Sequence, residues 1–492
     1  MSCLIKRISY HVCVFKPKSL PQPELFVPSA RLVQPATSSF YTKLEQTLAS
    51  FQFSEQARQI CAPAYSDNNL GRPGVDPAVY FKMLMIGFFE NIASERGIAE
   101  RCSDSISIRF FLGYDLTQAT PEHSTLSIIR GRLGEDAYQQ VFLLILSALQ
   151  QHGLVKGQNV GIDASVIEAN AALKSLVNRD TQEAYWDYVR RLARESGVNP
   201  KDIEAIRQFD RKRPKKMSND DWENPHDPDA KIGPTKAGAI DMIYKPEHTV
   251  DLDTGAILQA EVRLGHEADQ KDLAVHVLQA QANINLAQNR PADSLTIRSA
   301  TADKGYHAAS ELDQLQQEGI RTVISDPVKN RNFARFSPAE AKAMRAARRS
   351  ARSESGKQLL KQRGQHLERS FAHVLDAGGA RRTTLRGAEN LNKRHKVSAA
   401  IYNLSQLMRA IWGVGTPKQW AAGRKPLVWI LFRLFVAGWI KLVIGTERGT
   451  AGFRCQWEQS WTQLAGWVKY KVADFSSLQV FNPRKSIRST VC

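Results

Sequence analysis

Three carboxylates stand where carboxylates can do chemistry. Asp163 lies inside the run Asn159-Val160-Gly161-Ile162-Asp163-Ala164-Ser165-Val166-Ile167, which reads as a strand with an acid in its middle. Asp303 closes a second strand-like run over residues 295–302, and Gly305 lets the chain turn away after it. Glu368 follows Leu367 at the edge of the helical stripe Leu367, Phe371, Val374, beside the core without being buried in it. Each has an ordinary explanation alone: an edge-strand Asp, an Asp capping the next helix, a Glu paired with Arg363 or Arg369 on a solvated face. Gathered at one sheet edge, they would form a site for hard divalent cations. Mg2+ takes oxygen ligands and keeps several waters, so a few carboxylates and a substrate phosphate complete its shell. Two such ions roughly 4 Å apart stabilise both the attacking and the leaving oxygen of an in-line phosphoryl displacement. Clustered carboxylates repel one another, which raises their pKa values until a cation arrives.

The elements that must position these acids follow from periodicity. Residues 77–150 read as helices, with Val79, Met83, Ile86 and Phe89 at helical spacing and a start signal at Pro121-Glu122-His123-Ser124-Thr125. Leu126, Ile129 and Leu133 form the buried stripe of that last helix, which leaves Arg130 and Arg132 off the stripe. Basic side chains on an exposed helix suit a helix-turn-helix DNA reader, although from these residues alone a plain helical bundle is the more ordinary reading. After the strand at 159–167 comes a polar, mostly helical insertion near 171–236, which ends in the charged run Arg211-Lys212-Arg213-Pro214-Lys215-Lys216. A hairpin follows, alternating through Tyr244, His248, Val250 and Leu252, turning at Asp253-Thr254-Gly255, and alternating again from Ala256 to Leu264. A helix over 266–283, a strand to Ala302, a helix over 309–317 and a strand at 321–325 complete the order. Ser337-Pro338-Ala339-Glu340 is a capping box, and the helix it starts carries Arg345, Arg348, Arg349 and Arg352. Three antiparallel strands followed by two joined through a crossover helix make a mixed sheet with helices on its faces, the order of a ribonuclease H-like core. The expected architecture is therefore α/β with an N-terminal all-helical domain. Its parts are a loosely ordered extension at 1–40, a helical DNA-binding domain at 41–150, the catalytic domain at 151–415 and a C-terminal tail at 416–492.

Composition narrows the partners. The chain has 492 residues with 67 Lys and Arg against 49 Asp and Glu, a net charge of +18. Nucleic acid is the commonest partner of so basic a fold, with an anionic membrane the alternative. The six cysteines are scattered without a CxxC pair, which excludes a zinc ribbon and a disulfide framework and fits a reducing cytoplasm. His248, His307 and His373 have no His/Cys cluster around them and are expected to pack or hydrogen-bond. The N-terminus is too polar for a signal peptide. The apolar segment 427–444 contains Arg433 and Lys441, so a buried or interfacial helix is expected rather than a membrane span.

Three motifs, Asp163-Ala164-Ser165-Val166-Ile167-Glu168-Ala169-Asn170, Ala302-Asp303-Lys304-Gly305-Tyr306 and Glu368-Arg369-Ser370-Phe371, together resemble those of the DDE transposases of bacterial insertion sequences. So does the tail Gly379-Ala380-Arg381-Arg382-Thr383-Thr384-Leu385-Arg386-Gly387-Ala388-Glu389-Asn390 with Lys393, and the resemblance covers about residues 70–415. It implies that Asp163, Asp303 and Glu368 hold two Mg2+ ions, for which Mn2+ can substitute. Water and then the freed 3′-hydroxyl would attack phosphodiesters at the element's terminal repeats and at the target. Arg381, Arg382, Arg386 and Lys393 would hold DNA phosphate, or form a solvated basic loop. The protein would act on double-stranded DNA as a homodimer or higher assembly, in the cytoplasm and on the nucleoid, without stable membrane association. Relatives often carry Lys or Arg seven residues after the catalytic Glu, where this chain has Leu375. A ribonuclease H-like nuclease that cuts without joining, and an inert DNA-binding remnant, remain the alternatives.

Overall fold

Asp76 accepts the N–H of Ala78 and Pro77 opens the helix behind it, so α3 (Pro77–Glu90) starts on a capped, pre-set first turn. Its residues are buried from Pro77 to Phe89, the signature of a helix enclosed on all sides. The one cation in that run, Lys82, reaches Glu45 at 2.7 Å. Around α3 stand α1 (Ser38–Ser50), α2 (Phe53–Cys61), α4 (Glu95–Asp104), α5 (Ile106–Leu112), α6 (His123–Arg132) and α7 (Glu135–Gln151). Leu126, Ile129 and Leu133 are buried as their spacing predicts. This computed structural model describes residues 38–65, 74–214 and 218–422. The apolar segment 427–444, nearly all of the extension at 1–40, Lys215-Lys216 and most of the tail lie outside the described residues. Among the described residues no helix is long and apolar enough to cross a membrane.

The sheet follows. Its strands are β1 (Asn159–Ala164), β2 (Ile167–Glu168), β5 (Lys231–Pro234), β6 (Ile240–Asp251), β7 (Ile257–Leu264), β8 (Ser299–Ala302) and β9 (Arg321–Ile324). The long β6 pairs antiparallel with β1 on one side and with β7 on the other, while β1, β8 and β9 run parallel in that order. This is the mixed, ribonuclease H-like strand order expected from the sequence. The hairpin turn needs Gly255, whose φ is +82° and whose N–H bonds back to Asp251. The insertion folds as β3 (Val177–Asn178), α8 (Tyr185–Glu195), α9 (Ile203–Lys212) and β4 (Trp222–Glu223), with β3 and β4 forming a separate two-stranded ladder.

Helices cover the sheet: α10 (Leu273–Ala287), α11 (Ala309–Gln317), α12 (Pro338–Arg352), α13 (Glu354–Phe371) and α14 (Ala388–Trp412). Ser337 and Glu340 form the reciprocal capping box at α12. The helix carrying Glu368 begins earlier than its apolar stripe, because Ser353 caps it by accepting the Gly356 N–H. Helix α14 packs on both α7 and β7, so one continuous core joins the helical region to the sheet. Its Asn403 is fully buried and bonds both backbone groups of Ile257, accepting from N at 2.9 Å and donating to O at 2.7 Å. The Asn403→Ala variant should lose about 1–3 kcal/mol for each buried backbone group left unpaired. Urea unfolding measures this, and a loss below about 0.5 kcal/mol would mean that the bridge contributes nothing net.

Candidate active site

The site begins with the register of two strands. β1 pairs in parallel with β8 as Asn159↔Ser299, Val160↔Ala300 and Gly161↔Thr301. Continued by two rungs, the same register sets Asp163 level with Asp303 at the C-terminal edge of the sheet. Val160 and Ile162 are fully buried on one face of β1, which sends Gly161 and Asp163 to the other face. That face carries α13. A Cβ on Gly161 would stand 2.6 Å from Leu252 and 3.2 Å from Arg363, so only glycine lets helix and strand approach this closely.

Burial and the neighbouring charges of Asp303 and Asp269 push the Asp163 carboxyl up to about 6, while Arg363 and the Ala164 N–H pull in the opposite direction. Arg363 Nη2 stands 2.8 Å from Asp163 Oδ1, and its Nε donates to the Ile162 carbonyl at 3.3 Å. Arg363 thus pairs with Asp163 rather than with Glu368. Asp303 is exposed and accepts the Lys304 N–H at 2.8 Å, capping the single 3-10 turn that follows. Asp269 lies against the same turn, its Oδ2 3.8 Å from where a Cβ on Gly305 would stand, and takes Lys245 Nζ at 2.9 Å. Glu368 is exposed on α13 without a side-chain bond among the described residues. The structure therefore brings Asp163, Asp303 and Asp269 into one electrostatic neighbourhood and leaves Glu368 on the flank of the adjoining helix. No group of three or more His, Cys, Asp or Glu among the described residues is spaced to hold a metal ion as it stands.

Two buried networks fix this edge. Tyr306, three residues beyond Asp303, donates to Glu247 at 3.3 Å. Glu247 is fully buried on β6, where it also meets Arg263 at 3.0 Å and His276 at 3.4 Å. On the other face of β6, His248 sits opposite Asp163 and stacks on Phe371 at 4.3 Å. The Ser370 hydroxyl donates to the Leu367 carbonyl, so His248 Nδ1 must donate to Ser370 and its Nε2 must accept from His395. Both rings are buried and neutral; desolvation holds His248 well below its ordinary value and His395 down at about 3. His248 thus serves packing and hydrogen bonding, as expected. No motif points to Asp269, Arg363 or Glu247 as members of the site, although the position of Arg363 five residues before Glu368 on one helix is a usable clue.

The basic residues divide. Arg130, expected on an exposed face, turns inward: it pairs with Glu95, donates to Asn390 at 3.2 Å, and leaves no free charge for phosphate. Lys393 is buried, held by Glu389 at 2.6 Å and the Arg130 carbonyl at 3.3 Å. Both are corrected from DNA contacts to structural cations, because α6, which carries Arg130, and α14, which carries Lys393, pack against each other. Arg132 lies 5.0 Å over the Tyr65 ring. Arg381 bonds Asp376 at 2.8 Å, and Ser165 Oγ and the Val166 carbonyl at 3.0 Å each. Of the expected set, only Arg382 and Arg386 are exposed. Leu375 is buried in a turn of π-helix, Ala372–Ala377, where a cation would have no water.

Burial raises the Glu247 carboxyl from 4.5 to about 7 against the pull of Arg263. A raised value means that the folded chain holds this proton more tightly than the unfolded one, so the stability tied to it is full below about 4.5 and lost as the pH rises through about 7. Wild type should therefore lose thermal stability relative to Glu247→Gln between about pH 5 and about pH 8. A difference moving the other way would mean that the Arg263 ion pair outweighs desolvation.

Comparison with known families now bears on this geometry. Residues 30–132 match a family described as Transposase domain (DUF772), which covers the helical region through α6. Residues 322–408 match one described as Transposase DDE domain, which includes Glu368 and most of α14 and begins beyond Asp163 and Asp303. Neither the curated proteins nor the solved structures contain a match to the chain. The chain is thus similar to a transposase domain over its helices α1–α6 and to a transposase DDE domain over its last strand and the helices after it, with a mixed sheet between the two matched stretches.

Proposed function

We propose that the protein binds the ends of an insertion sequence and catalyses metal-dependent DNA cleavage and strand transfer. The observation that carries this reading is the parallel β1–β8 register, which, continued by two rungs, sets Asp163 level with Asp303 at the C-terminal edge of the sheet. Hard oxygen donors in that arrangement suit Mg2+ or Mn2+. The fit has a sign in the chain itself: burial, with a smaller push from the Asp303 and Asp269 charges, raises Asp163, and the carboxylate takes a guanidinium as its counter-charge. Asp163 and Asp303 are the residues to hold the metal, with Glu368 joining from α13. When bound, two such ions supply charge stabilisation to the attacking and leaving oxygens of the phosphodiester.

The chain's own residues do the rest. Arg363 orients the Asp163 carboxylate and favours its ionised form. The Tyr306–Glu247 bond holds the turn that presents Asp303. Arg382 and Arg386 are free to meet backbone phosphate on the segment that leads into α14. Two ends must be held for joining, so the acting form is a homodimer or larger on DNA, working in the cytoplasm at the nucleoid. A binding-only protein is the second reading, favoured by the separation of Glu368 from the two aspartates.

Asp163→Asn, Asp303→Asn and Glu368→Gln separate the two. Losing even an outer-shell partner of a metal costs 10–100-fold, so each ligand variant should lower cleavage at least about 100-fold with Mg2+ or Mn2+. End binding in a mobility-shift assay should stay nearly unchanged. Cleavage surviving in all three overturns the metal assignment, and its absence from the wild type favours the binding-only protein. Joining of a 3′ end to a second duplex separates a transposase from a nuclease that only cuts.

A further inference from the structure

We propose that the solvent face of α12 is a second DNA-contact surface, which grips the sugar–phosphate backbone of duplex lying beyond the Asp163–Asp303 edge. The inference rests on the DNA reading above and adds to it a surface and its orientation. Lys342, Arg345, Arg349 and Arg352 are all exposed. At 100° per residue they fall within an arc of about 80°, spread over about 15 Å of helix. Met344, Ala347 and Ala351 are buried on the opposite side against β9 and α11. The four cations therefore form one stripe along the outside.

None of the four has an acidic partner among the described residues. Arg348 on the same helix shows the contrast, since Asp326 takes it at 2.7 Å. The only acid of α12, Glu340, is used in the capping box. Arg345 lies 4.8 Å over the Phe333 ring, which restrains its direction. Lys329 and Arg335 are exposed on the segment leading into the helix and lengthen the basic track.

The position of the stripe relative to the site follows from the bonds at its two ends. Arg348 reaches Asp326 and the Val328 carbonyl, both just past the C-terminal end of β9. Ser350 and Ser353 meet Arg321, the first residue of β9. Helix α12 thus runs antiparallel to β9, and its first half stands at the sheet edge that presents Asp303. Along one strand of a duplex, phosphates repeat every 3.4 Å of axis, so about 15 Å of helix faces about four of them. An anionic membrane fits less well. A membrane-surface helix presents large apolar residues beside its cations, and α12 exposes none.

The test uses the full chain and duplexes carrying the element end plus flanking DNA, with affinity measured by fluorescence anisotropy over a range of salt. Substituting Gln for Lys342, Arg345, Arg349 and Arg352 together should lower the slope of log K against log salt by about 3 to 4, at about 0.9 for each phosphate no longer neutralised. A triple variant that leaves Arg345 on its ring should lose about three quarters of that. The same four-charge change at Lys174, Arg194, Lys201 and Arg290, exposed elsewhere and without an acidic partner among the described residues, should move the slope less than half as far. A full-stripe variant that folds, as judged by its unfolding midpoint, yet keeps the wild-type slope overturns the assignment to α12. An equal drop from the control set overturns it too, because net charge alone would then explain the effect. If the wild type shows no salt-dependent DNA binding, the DNA reading itself fails, an outcome distinct from the other two.

Discussion

Two like charges at the C-terminal ends of adjacent parallel strands, Asp163 on β1 and Asp303 just past β8, are the constraint around which this edge is built. Asp163 and Asp303 cannot separate by sliding, because a one-residue slip of β1 would carry Val160 and Ile162 from the core to the opposite face. The repulsion must be met locally. Burial does most to raise the Asp163 carboxyl, the Asp303 charge adds to it, and the Arg363 guanidinium offsets both. Arg363 can be there only because Gly161 lets α13 lie against the strand. Behind the edge, Glu247 and Tyr306 on one face and His248, Ser370 and Phe371 on the other hold the loop and the helix in place.

The basic residues of the motif after Glu368 show how one sequence feature serves two purposes. Arg381 is a strut: its backbone carbonyl accepts the Glu168 N–H, its side chain holds Ser165 and Val166, and the Glu168 carbonyl accepts the Thr383 N–H. The segment is therefore stitched to the chain immediately beyond Asp163, and Arg382 next to it is left in solvent. Alternation of inward and outward side chains along an extended segment separates the two neighbours by one residue. Any phosphate contact made by Arg382 or Arg386 is thereby rigidly referred to the strand that carries Asp163.

Much of the fold is legible in the sequence because it follows from local chemistry. Alternation marks β6 and β7, the Asp253-Thr254-Gly255 turn joins them, and Ser337 with Glu340 announces α12. The order of elements then suffices for the topology. What periodicity cannot convey is what covers an outward face. It places Arg130 off the buried stripe of α6 correctly, but Glu95 of α4 takes its charge and α14, more than 250 residues later, packs on that side and adds the Asn390 acceptor. The burial of Lys393 is hidden for the same reason, from the side of the other partner. Asp269 carries no signal of its own because its place beside the Asp303 turn is created by tertiary packing near Gly305, with no motif around it. The early start of α13 is set by Ser353, whereas its apolar stripe begins only near Leu367.

The position of Glu368 has an electrostatic rationale that fits the rest. At an effective dielectric of about 20, two unit charges 4 Å apart cost about 4 kcal/mol, so a third carboxylate pressed against the aspartate pair would consume much of a domain's net stability. An exposed side chain on the flank of α13 avoids that cost, since water screens it. The helix beneath it is fixed nonetheless: Leu367 is buried in the core, Ser370 bonds His248, and Phe371 stacks on that ring, which pairs across the strand with Asp163. The backbone of residue 368 is thus anchored through its neighbours to the strand opposite Asp163, while its exposed carboxylate keeps its rotamers. Such an arrangement stores little strain, and it leaves the Glu368 carboxylate unbonded on a fixed helix, as the proposed metal-binding reading requires.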